Sequence, residues 1–185
     1  MNVIIGEADR MTRIVQDLLT LSKIDYGKME MNISRFSFLK AVQNVYQAAL
    51  LNAQQNHGHT LTLTADGEIP DVSGDRERIE QVIMNIVSNS IKYTPDGGKI
   101  EMHVGTAGKN VFVRIQDNGI GIPEKDLPHL FDRFYRVDKA RSRESGGTGL
   151  GLSIAREILN QHKGDITIDS VYGQGTSVTI TLPRA

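Results

Sequence analysis

The stretch Asn110-Val111-Phe112-Val113-Arg114-Ile115-Gln116-Asp117-Asn118-Gly119-Ile120-Gly121-Ile122 decides the fold. Asn110 to Gln116 reads as a strand, and Asp117 stands at its end before two glycines. The strand expected before it, Lys99 to Val104, lies only a few residues upstream. Downstream, Asp165 to Ser170 and Thr176 to Leu182 read as strands joined by a Gly173-Gln174-Gly175 turn. Strands joined this tightly do not alternate strictly with helices. The pattern predicts a two-layer α/β sandwich, a mixed sheet with helices on one face, and argues against a doubly wound dinucleotide fold.

Upstream, a helix is expected from Ser37 or Phe38 to about Gln55, closed by Asn56-His57-Gly58, with a strand from Thr60 to Ala65. Asp75 is a natural N-cap for a helix reaching about Lys92, and Pro95-Asp96-Gly97-Gly98 turns the chain into the next strand. Met29, Met31 and Ile33 alternate with polar residues and predict a short strand, whereas Pro70 to Gly74 reads as a loop. Thr148 to Gln161 reads as a helix. The segment from Asn118 to Gly147 has only short helical pieces, such as Glu124 to Leu130. A connection that long in a compact domain is usually a lid or a binding loop. At the start, Ile4, Ala8, Met11, Val15 and Leu18 recur at steps of four and three, widened by Ile14, Leu19 and Leu21. This is an amphipathic helix that wants a partner helix, and its polar face, including Glu7, Asp9, Arg10, Arg13, Gln16, Asp17 and Lys23, reads as solvated. Asp25-Tyr26-Gly27-Lys28 reads as a hinge, dividing residues 1–25 from a domain of residues 26–185 with a lid at about 118–147.

The totals narrow the function. With 185 residues, 39% hydrophobic and 23% charged, the chain has the composition of a folded domain. A net charge of -1 gives no reason to expect nucleic acid as a partner. The absence of cysteine excludes disulfides and thiolate metal sites.

Three local patterns carry chemistry. Asn85 and Asn89, four apart in Asn85-Ile86-Val87-Ser88-Asn89-Ser90-Ile91-Lys92-Tyr93, share a helix face with Lys92 a turn further on. An amide oxygen suits Mg²⁺, and a lysine offsets phosphate charge; a solvated face is the equally simple alternative. Asp117 can accept a hydrogen bond from an exocyclic amine while Gly119 and Gly121 let the backbone approach a planar ring; an Asp-Asn-Gly turn is the other reading. Gly146-Gly147-Thr148-Gly149-Leu150-Gly151-Leu152 opens a helix, where free amides and the helix dipole favour anions. It lacks the Gly-Lys-Ser/Thr end of a P-loop, and no strand runs directly into it as a dinucleotide fingerprint requires.

In this order the Asn helix, the Asp-x-Gly-x-Gly turn, Phe131-Asp132-Arg133-Phe134 and Gly147-Thr148-Gly149-Leu150-Gly151 resemble the N, G1, F and G2 boxes of bacterial sensor histidine kinases. Phe134-Tyr135-Arg136-Val137-Asp138-Lys139-Ala140-Arg141 is similar to the lid of the subgroup containing the essential cell-wall regulator kinases of Gram-positive bacteria. Gly173-Gln174-Gly175-Thr176 with Leu182-Pro183 resembles the closing box. The resemblance covers about residues 30–183 and implies a Bergerat-type ATP-binding fold. Residues 1–25 look like the second helix of the dimerisation and phosphoacceptor hairpin.

The resemblance implies ATP and Mg²⁺ as cofactors. Asn89 would be a metal ligand with Asn85 beside the metal and phosphates, and Lys92 and Arg136 would neutralise the transferring phosphate. Tyr93 would flank the adenine, Asp117 would read its amine, and Gly119 and Gly121 would make room for it, with Thr176 behind the base. Gly147, Gly149 and Gly151 would cradle phosphates, and Ile122, Thr148 and Leu150 belong to the same binding set. Phe131, Phe134 and Tyr135 would pack to anchor the lid, leaving Lys139 and Arg143 solvated.

Related gyrase, mismatch-repair and heat-shock ATPases carry Glu-x-x-x-Asn, whose Glu activates water; that place here is Asn85. An amide cannot act as that base, whereas phosphoryl transfer rests on positioning and charge neutralisation. The resemblance therefore implies a protein-histidine kinase. None of His57, His59, His103, His129 and His162 is followed by an acidic residue, and none lies in the N-terminal helix; His57, His59 and His162 read as surface or capping residues. The acceptor histidine is expected on a hairpin helix upstream of Met1, so that this chain binds ATP without phosphorylating itself. The implied partners are that hairpin and a response regulator. The implied setting is cytoplasmic, within a membrane-anchored homodimer of a bacterium. The alternative is a nucleotide-dependent interaction module, similar to an anti-sigma factor or an inactive kinase.

Overall fold

Side-chain caps set the starts of the two longest domain helices. In the computed structural model, which describes residues 2–137 and 147–185, with only the backbone for residues 2–10 and Asn56, the chain opens with α1 (Asn2–Asp25). After β1 (Ser34–Ser37), the Ser37 hydroxyl accepts the Lys40 amide to start α2 (Phe38–His57), which Gly58 closes at φ 62°. Then follow β2 (Thr60–Ala65) and β3 (Asp71–Gly74), and Asp75 accepts the Arg78 amide at 3.1 Å to start α3 (Arg76–Tyr93). The remainder is β4 (Lys99–Ala107), β5 (Asn110–Asp117), a 3-10 helix (Glu124–His129), α4 (Gly151–Gln161), β6 (Asp165–Val171) and β7 (Gly175–Pro183).

Five strands form a sheet in the order β2-β4-β5-β7-β6, with β2 and β4 parallel and every other pair antiparallel. Alternate residues point to one buried side: Ile100, Met102 and Val104 of β4, Val111, Val113 and Ile115 of β5, Ile180 and Leu182 of β7. Against them pack Phe38 and Val42 of α2, Ile79, Ile83 and Ile86 of α3, and Ile158 and Leu159 of α4. The sequence-expected sandwich is what forms.

Four local expectations are corrected. The strand predicted at Met29–Ile33 is displaced to Ser34–Ser37, and the loop predicted at Pro70–Gly74 is β3; the two short strands pair with each other, Ser34 opposite Gly74, in a separate sheet. Neither has enough residues to signal itself, and each satisfies the other's backbone. α4 starts at Gly151 and not at Thr148, because Gly149 stands at φ 74°, outside helical space. His59 and His162 are buried and not on the surface, although His162 does stand as the C-cap of α4. His162 Nδ1–H donates to the Ile158 carbonyl at 2.7 Å, and its Nε2 accepts the Asp75 amide at 2.9 Å, tying the end of α4 to the start of α3.

The stripe of α1 divides. Met11, Val15, Leu18 and Leu19 are exposed, whereas Leu21 and Ile24 are buried. Ile4 and Ala8 lie among the residues whose side chains are not described. Among the described residues, no helix is long and apolar enough to cross a membrane.

Candidate functional site

A cavity of about 520 Å³ opens between α3, α4, the segment after β5 and the middle of α1. It gathers all the sequence-predicted site residues except Gly119 and Leu150.

The α3 face contributes Asn85, Asn89, Lys92 and Tyr93. The Nδ2 of Asn85 is buried without a hydrogen-bond partner. Across from it, a Cβ on Gly151 would lie 2.6 Å from Asn85 Oδ1, so glycine at the start of α4 is what admits this amide. The Lys92 ammonium sits 4.9 Å from the Tyr93 ring centre, and a Cβ on Gly147 would come within 3.0 Å of it. A cation and an unpaired amide thus meet the glycine segment at one end of the cavity.

At the other end, Asp117 is buried. Its Oδ1 accepts both the Gly119 amide at 2.9 Å and the Thr176 amide at 3.2 Å. Both bonds fall on one oxygen, which leaves the second as the acceptor available to a ligand. Behind it Ser170 donates to the Gly175 carbonyl and accepts from the Ile122 amide at 2.9 Å. Its only proton being spent, its 2.9 Å contact with Thr176 Oγ1 is donated by Thr176. The glycines here answer to protein neighbours. A Cβ on Gly119 would lie 2.6 Å from the Tyr93 carbonyl oxygen, and one on Gly121, at φ 65°, would collide with the Val171 carbonyl. Gly119 therefore packs behind the site and does not line it.

Leu150 is fully buried in the core and lies off the cavity, and its amide donates to Thr148 Oγ1 at 3.2 Å. Phe134, expected to pack, is 59% exposed, while Phe131 packs against the core and Tyr135 lines the cavity. Phe134 takes φ 63° and donates its amide to the Gly149 carbonyl at 2.9 Å, so the base of this segment lies directly on the glycine segment. Arg136 lines the cavity from this base. Asp138, Lys139, Ala140, Arg141, Arg143 and Gly146 lie outside the described residues.

Two site residues escape sequence reasoning. Arg13 and Asp17 of α1, read as solvated, both line the cavity, and Asp17 Oδ2 accepts the Thr148 hydroxyl at 2.7 Å. Nothing local signals this contact, which joins residues 131 apart. Asp25, at the end of α1, binds Arg133 through both carboxylate oxygens at 2.6 and 2.8 Å. That hydrogen-bonded pair holds the Asp25 carboxyl below the usual range and Arg133 above its own.

Residues 74–185 match the family model described as histidine kinase-, DNA gyrase B-, and HSP90-like ATPase, and the chain belongs to that family. Sequence relatives include the sensor histidine kinase WalK of Bacillus subtilis, 41% identical over 180 residues that make up 96% of this chain and 29% of that protein. The sensor histidine kinase YkoH of the same organism is 41% identical over 175 residues, covering 95% of this chain and 37% of its own length. Among solved structures, the Acinetobacter baumannii histidine kinase AdeS aligns over 99% of this chain and 83% of its own at TM-score 0.78 and 26% identity. The histidine kinase ThkA, solved in complex with the response regulator TrrA, aligns over 100% of this chain and 50% of its own at TM-score 0.78 and 26% identity. The chain spans about a third of the length of the curated relatives it matches.

Proposed function

We propose that this domain binds Mg-ATP and presents the γ-phosphate for transfer to a histidine on a dimerisation hairpin, as the catalytic part of a two-component sensor kinase. The observation that carries the reading is the convergence of Asn85, Asn89, Lys92, Asp117 and the Gly147–Gly151 segment on one cavity. In it Asp117 reads the adenine amine through its free oxygen, and Thr176 and Tyr93 flank the base. The glycine segment and Lys92 take the phosphates, with Arg136 over the γ-phosphate.

Asn85 and Asn89 are the residues that would hold Mg²⁺. The buried Asn85 Nδ2, a donor without a protein partner, suits a phosphate oxygen, since such a group is costly to bury unpaired, and the amide oxygens of the two residues are hard donors that suit Mg²⁺. Once bound, Mg²⁺ would offset phosphate charge.

Transfer is favoured over hydrolysis by the carboxylates. The cavity is lined by only two among the described residues, Asp17 and Asp117. Asp117 is tied to two backbone amides and Asp17 to Thr148. Neither stands at Asn85, where the water-activating acid of the hydrolases is expected, so among the described residues no carboxylate is placed as a general base for water. The hairpin, the response regulator, the homodimer and the membrane anchor belong to the same proposal, with residues 1–25 as the hairpin's second helix.

Calorimetric titration of Mg-ATP tests the site. The wild-type chain should bind, and Asn89→Ala should abolish metal-dependent binding; affinity unchanged by Asn89→Ala would remove this site from consideration.

A further inference from the structure

Next to the cavity, the described part of the lid is held by a polar contact that the proposed chemistry does not use. The Tyr135 hydroxyl donates to Asp126 Oδ1 at 2.5 Å. Asp126 belongs to the 3-10 helix and is only 7% exposed, a buried carboxylate whose side-chain partner among the described residues is a neutral donor. Burying an acid costs free energy unless it is hydrogen-bonded, so this geometry is well defined. The Asp126 carboxylate in turn raises the Tyr135 hydroxyl above the usual phenol range. Around the pair, the Tyr135 amide donates to the Asp132 carbonyl at 3.2 Å, and the His129 ring lies 5.3 Å from the Tyr135 ring. On the other side, Phe134 is fastened to Gly149 through its amide. Arg136 follows Tyr135 directly and lines the cavity.

We infer that Tyr135 and Asp126 form a positioning pair that sets the direction in which Arg136 enters the phosphate end of the cavity, and so the preference for a triphosphate over a diphosphate. This inference rests on the ATP reading given above. Tyr135 fixes the backbone one residue before Arg136, and Phe134, pinned to the glycine segment, fixes it one residue earlier. With both anchors in place the backbone entering Arg136 is held at two points, and fixing the orientation of a charged group is how binding geometry is gained. Tyr135 is a positioning residue in this account and takes no part in transfer.

The experiment compares Kd for ATP, ADP and adenosine, each with Mg²⁺, in the wild-type chain, Tyr135→Phe, Asp126→Asn, Asp126→Leu, Arg136→Ala and Tyr135→Phe/Arg136→Ala. Losing one net hydrogen bond should lower the ATP-over-ADP preference about 3- to 10-fold in Tyr135→Phe and in Asp126→Leu. Asp126→Asn keeps an acceptor oxygen and should retain most of the preference. Adenosine affinity should stay the same throughout, which a general loss of folding would not allow. In the Arg136→Ala background, Tyr135→Phe should have no further effect. A Tyr135→Phe effect that persists there would make Tyr135 a direct ligand contact and overturn the inference, as would an unchanged preference in Tyr135→Phe. Failure of the wild-type chain to bind any of the three would instead bring down the ATP reading itself, and the inference with it.

Discussion

The carboxylate of Asp17 in α1 accepts the hydroxyl of Thr148, in the middle of the glycine segment, at 2.7 Å. A negative charge carried by the N-terminal helix therefore lines the cavity where the proposed triphosphate sits. Two like charges about 4 Å apart in a solvated setting repel by about 1 kcal/mol. Asp17→Asn should accordingly tighten ATP binding several-fold while leaving adenosine affinity unchanged, measured by titration calorimetry. A weaker or unchanged ATP affinity would show that Asp17 does not oppose the phosphates.

At the C-terminal end of α1, Asp25 and Arg133 form a two-pronged pair in which both side chains stay about half exposed. Because the folded-state value of Asp25 is depressed by its hydrogen bond to Arg133, the pair's contribution is complete above the ordinary aspartate value of about 3.9. It fades as pH falls below that value toward the depressed one. Amides in the last turns of α1 should therefore lose protection, measured against their intrinsic exchange rates, on acidification through this range. Arg133→Ala should show the reduced protection already at neutral pH. Identical exchange in the variant at neutral pH would mean that the pair does not hold the helix.

His162→Leu should destabilise the domain by about 1–3 kcal/mol, because the Asp75 amide would remain buried without an acceptor. The site is also sterically closed: a Cβ on Gly74 would lie 2.6 Å from His162 Cδ2. Denaturant unfolding of the variant gives the value directly. A loss within about 0.5 kcal/mol, the size of an ordinary surface change, would contradict the bridging role.

Asn85→Glu places a carboxylate where the hydrolases of this fold are expected to carry their base. Phosphate release from ATP should rise above the wild-type rate in a steady-state assay. No rise, with ATP affinity retained, would show that the missing acid is not what restrains hydrolysis.

How much of this was legible in the sequence follows from where each interaction is made. Asp75 and Gly58 announce the helix ends because capping is written in side-chain and glycine chemistry within a few residues. Asn85, Asn89, Asp117 and the glycines were legible by residue type and order, and the cavity gathers most of them. The reasons behind some of them were not. Gly121 is required by the Val171 carbonyl of β6, a neighbour that only the folded sheet supplies. Leu150 sits inside the glycine segment, yet its side chain belongs to the core. Arg13 and Asp17 look like any polar helix face until α1 docks. The short pairing of β1 with β3 depends wholly on tertiary contact.

The most direct test of the account is transfer in trans: this chain is mixed with a separate histidine-bearing hairpin of a related kinase and ATP labelled at the γ-phosphate. The account predicts acid-labile label on the hairpin histidine, dependent on Mg²⁺ and lost in Asn89→Ala. Binding of ATP with no label on the hairpin would contradict it, and would favour a nucleotide-dependent interaction module.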